Sequence, residues 1–110
     1  MRQIVIDELN HEERDSIESY LKRNLTEGEV AGIFWLSLPE HLLSGAQLAH
    51  RDCSPFVFGI ELTDKKLQGE LLVRSSRNLH CSCISYASKK QREFLLDFLD
   101  RMLEEEGITS

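Results

Sequence analysis

From Phe56 to Tyr86 the chain alternates apolar and polar residues in three successive runs, and at Ser88 the period changes from two residues to that of a helix. Phe56, Phe58, Ile60 and Leu62 share one face of a segment ending near Thr63, and Asp64-Lys65-Lys66 turns it into a second run, Leu67 to Arg74. Ser75-Ser76-Arg77-Asn78 leads into a third, Leu79 to Tyr86. Side chains alternate across a strand, so this reads as an antiparallel meander with one face on a core. Ser88 with Gln91 then forms an S-x-x-Q capping box. Phe94, Leu95, Phe98, Leu99, Met102 and Leu103 line one side of the helix it opens, which Gly107 ends.

The first half supplies what the meander needs around it. Gln3 to Leu9 begins with β-branched residues and predicts a strand. Asn10 with Glu13 caps a helix running to about Asn24, with Ile17, Tyr20 and Leu21 as a narrow apolar stripe and Gly28 as its terminator. Val30 to Leu38 is apolar on both faces, with Val30, Phe34, Leu36 and Leu38 on one and Ala31, Ile33 and Trp35 on the other, which predicts the central strand. Between Pro39 and Pro55 no period holds. Ser37 and Glu40 cap a short helix there through Leu43, stopped by Gly45, in a segment that serves as lid, interface or plain connection. The expected class is α+β: a three-stranded antiparallel meander within a four- to five-stranded sheet, packed by an N-terminal and a C-terminal helix, in one domain over 1–110.

Composition narrows the function classes. Hydrophobic residues make up 41% and charged residues 29%, the balance of a folded globule. No apolar run approaches the ~20 residues that span a bilayer, and an odd number of cysteines at uneven spacing is a poor disulfide framework. The expectation is a cytoplasmic protein with reduced thiols and no membrane partner. The formal net charge of −6 disfavours general nucleic-acid binding.

The charge is sorted along the chain. Leu71 to Arg92 holds five fixed positive charges and no acid, which leaves −11 for the rest. Lys89, Lys90 and Arg92 fall in the first turn of the last helix, where the helix dipole prefers carboxylates, while free amides there suit an anion. The expected site is therefore a ligand-binding one for an anionic or phosphate-bearing molecule. Ser88, Lys89, Lys90 and Arg92 form it, Arg74 and Arg77 are outer contributors, and a residue from the Pro39 to Pro55 segment joins them. The bland alternative is a solvated face, with Lys89 pairing Glu93 and Arg101 pairing Asp97 and Glu105.

A second reading is a metal-binding or thiol-redox protein, with zinc as cofactor, using Cys81 and Cys83 with Cys53, His50 or His80. Its weakness is spacing. In a strand, Cys81 and Cys83 stand on one face with Cα atoms roughly 6.6 Å apart, and His80 points the other way. Without metal, Cys81 and Cys83 are core residues and Cys53 is a loop thiol. A third reading is a structural homodimer pairing through a sheet edge or through Leu96 on the last helix. The chain has no G-x-S-x-G, P-loop or dinucleotide fingerprint, so the expectation is a small non-enzymatic binding or regulatory module.

Overall fold

A computed structural model describes residues 2–77 and 84–108 of the chain. It is α+β, and every strand pairing in it is antiparallel. The order is β1 (Gln3–Ile6), α1 (His11–Asn24), β2 (Thr26–Glu27), β3 (Ile33–Ser37), α2 (Gly45–Ala49), β4 (Phe56–Leu62), β5 (Leu67–Glu70), β6 (Leu72–Ser75), β7 (Ser85–Tyr86) and α3 (Lys89–Glu105). Turns of 3₁₀ helix at Glu40–Leu42 and Arg51–Cys53 flank α2. The sheet runs β1-β5-β4-β3-β2, with β6 on the far end of β4 and β7 on β6.

The strand count exceeds the four or five expected because the run from Leu67 to Arg74 is two strands. β5 pairs with Ile60–Leu62 and β6 with Phe56–Val57 of the same strand β4, and the register slips between them. The break is at Leu71, whose N–H donates to the Arg2 carbonyl at 3.0 Å and whose carbonyl accepts from Ala87 N–H at 2.8 Å. There the outer neighbour changes from β1 to β7, and Arg2 stacks on the Tyr86 ring at 4.5 Å. Most of the third run, at positions 79–83, lies outside the described residues. Its last two residues form β7.

The central strand is β4 rather than the Val30 to Leu38 run. Only Ile33–Ser37 of that run is strand, because Gly32, at φ +87°, makes the turn that brings β3 back along β2. Val30 is 64% exposed. Nor does Gly28 end α1: the helix stops at Leu25, already extended at φ −126°, and the chain enters β2 directly.

The core lies on one face of the sheet. Phe34, Phe56, Phe58, Ile60, Leu67 and Val73 meet Ile17 and Leu21 of α1 and Leu95, Leu99 and Met102 of α3. Gly69 lets α3 close onto β5, since a Cβ there would stand 3.3 Å from Leu95 Cδ2. The helices meet through Tyr20 and Phe98, whose rings pack edge-to-face at 5.9 Å.

Candidate functional site

The start of α3 is built by two interlocked capping boxes. Ser88 accepts from Gln91 N–H at 3.3 Å, and Ser88 N–H donates to Gln91 Oε1 at 3.0 Å. Ser44 and Gln47 repeat the arrangement at α2, so Gly45 opens a helix instead of stopping one, and neither Ser37 nor Glu40 caps it. A glutamine at the third position also carries donors. Gln91 Nε2 reaches the Leu42 carbonyl at 2.8 Å and Gln47 Oε1 at 2.9 Å, tying α2 to α3 inside the protein. The Pro39 to Pro55 segment thus meets the start of α3 through buried amides. Gln47 Nε2 is buried there without a partner.

Of the expected anion-site residues, Ser88 is committed to its cap. Lys89, Lys90 and Arg92 are exposed and make no ion pair among the described residues. The pairs Lys89–Glu93, Arg101–Asp97 and Arg101–Glu105 do not form, because these side chains extend into water where a few tenths of a kcal/mol do not hold two long chains together. Arg74 lies elsewhere, on the sheet face opposite the helices. It donates from Nε and Nη2 to both oxygens of Glu70 at 2.9 and 2.8 Å, a bidentate pair that raises its pKa above the ordinary arginine range. Arg77 lines a cleft with Arg74, so these two come together and the helix cations stay apart.

Of the alternative metal ligands, His80, Cys81 and Cys83 lie outside the described residues. Cys53 is buried at 3% exposure, not a loop thiol, because its turn tucks under β6, where its carbonyl accepts from the Ser75 hydroxyl. Among the described residues no group of three or more His, Cys, Asp or Glu side chains could hold a metal.

The face of the sheet away from the helices carries the site that the sequence reading missed. Trp35 of β3 stands directly across from Gly59 of β4. A Cβ on Gly59 would meet Trp35 Cζ3 at 3.2 Å, and one on Gly28 would meet Trp35 Nε1 at 2.9 Å. The two bare backbone positions therefore lie against opposite edges of the indole, which is half-buried. Without a side chain, Gly59 leaves a trough of about 330 Å³ beside the ring, bounded by Glu61, Gln68, Gln3 and the Glu70–Arg74 pair. A second cleft of about 530 Å³ on the other side of the ring holds Val30, Val57, Arg74 and Arg77. No helical residue lines either cleft. The signal was a glycine inside a strand rich in Phe, Val and Ile, which marks a close approach, in a chain with a single tryptophan.

Comparison with protein-family models, with curated proteins and with solved structures finds no match.

Proposed function

We propose that this protein is a small binding or regulatory module, not an enzyme, and that it takes its ligand on the helix-free face of the sheet. The observation that supports this reading is the indole of Trp35, which lines two clefts, with Arg74 bordering both. Ligand sites combine an apolar surface with a few fixed polar groups, and volumes of about 300–1,000 Å³ are usual for them. The bidentate bond to Glu70 holds the Arg74 guanidinium in one orientation beside the ring.

A second reading keeps the start of α3 as an anion site. It is favoured by a first turn with no acidic residue, and by Lys89 and Lys90, whose backbone amides precede the first intrahelical donor, Arg92 N–H. Native mass spectrometry of gently purified protein separates the two. A retained small molecule that is lost from Trp35→Ala and kept by Lys89→Glu/Lys90→Glu supports the sheet face. The opposite pattern transfers the function to α3. A retained zinc mass would instead point to the thiols.

A further inference from the structure

Resting on the reading of the sheet face as the binding surface, we infer that the trough beside Trp35 accepts a neutral sugar ring packed against the indole. The half-buried indole that lines the trough offers an apolar plane to the C–H face of a pyranose. Around that plane stand Gln3, Glu61, Gln68, Glu70 and Arg74. These are planar polar groups, and together they present both donors and acceptors. A sugar hydroxyl needs both, since it donates and accepts at once.

The charges of the trough choose among ligands of this shape. Glu70 and Arg74 neutralise each other in their bidentate pair, so Glu61 is the uncompensated charge of the trough. A phosphate there meets a carboxylate and no free cation. An ammonium ion would stack on one ring only, and the amide donors of Gln3 and Gln68 would face it unused. The side chains of Gln3, Glu61 and Gln68 make no hydrogen bond or ion pair among the described residues, so they reach a ligand without first giving up a partner.

Because Trp35 is the single tryptophan, its fluorescence reports this face of the sheet, and the Gln3 and Gln68 variant assigns a response to the trough. The whole chain is titrated with cellotriose, maltotriose and triacetylchitotriose, with tetramethylammonium and inorganic phosphate as the charged probes. The expected result is a saturable blue shift with at least one trisaccharide and none with phosphate. The variant Gln3→Ala/Gln68→Ala, whose changes lie at the surface, should keep its melting temperature and bind at least about tenfold more weakly. Saturation by tetramethylammonium without any saccharide overturns the sugar and leaves the site. A saccharide shift that the double variant does not weaken overturns the assigned contacts. If no probe moves the emission, the sugar assignment falls. If the retained ligand of native protein is also unaffected by Trp35→Ala, the sheet-face reading falls with it.

Discussion

At the scale of single residues, Gly59 does the most to shape the surface. Any side chain there competes with Trp35 for the same space, since even a Cβ would sit 3.2 Å from the ring and 3.4 Å from Glu70 Oε2. Gly59→Val should lift the indole off the sheet, shift its emission to the red and cost about 1–3 kcal/mol in a denaturant melt. An unchanged emission spectrum would mean the ring does not rest on that backbone. Tyr20 sets an alkaline limit to stability. Its burial, reinforced by the Glu105 carboxylate, pushes the hydroxyl above the ordinary tyrosine value of 10.0. The folded state therefore holds this proton more tightly than the unfolded chain. The associated stability is complete below pH 10.0 and is lost as pH rises through the higher folded value. Tyr20→Phe should flatten that alkaline loss in a melt series, and an identical pH profile would refute the assignment. Neither effect was legible in the sequence, because Gly59 and Trp35 are 24 positions apart and Tyr20 and Glu105 are 85 apart.

At the scale of elements, the helix ends of α1 and α3 read well from the chain and the start of α2 did not. Asn10 with Glu13 and Ser88 with Gln91 form the capping boxes that their spacing predicts. Ser44 with Gln47 has the same spacing and was hidden by Gly45, a residue as compatible with the first turn of a helix as with its end. What spacing cannot show is that the two glutamines meet. Gln91→Leu removes the donor to the Leu42 carbonyl and to Gln47, and leaves both acceptors in a buried place. The expected loss is about 1–3 kcal/mol, above the ~1 kcal/mol of an ordinary cap. A double-mutant cycle of Ser44→Ala with Ser88→Ala checks the link. Coupling between helices joined through Gln47 and Gln91 should exceed the ~0.5 kcal/mol that independent sites show, and strict additivity would dissolve it.

At the scale of the whole molecule, two layers leave one sheet face without a helix among the described residues. β4 has pairing partners on both sides and packs Phe56, Phe58, Ile60 and Leu62 into the core, whereas β1, β2 and β7 are short edges. Hydrogen exchange should therefore be slowest at Phe58 and Ile60 and fastest at the strand ends of Gln3–Ile6 and Thr26–Glu27; equal protection across the sheet would contradict the layer order. No helix among the described residues is long and apolar enough to cross a membrane. Exposed Val5 on the β1 edge, at 43%, and Leu96 on α3, at 37%, are the positions to test for self-association. Leu96→Glu changes the mass in solution only if α3 carries such an interface.

By itself the sequence determined the α+β class, the alternation that buries Phe56, Phe58, Ile60 and Leu62, and the boundaries of α1 and α3 within a residue or two. These depend on neighbours a few positions apart, where periodicity and capping act. Only the tertiary structure decided that β4 is central, that the Leu67 to Arg74 run splits at Leu71, and that Arg74 stands beside Trp35 and away from Lys89. Register and strand order arise from pairings between distant segments, and a one-residue slip would have turned Trp35 into the core and left the open face without its ring.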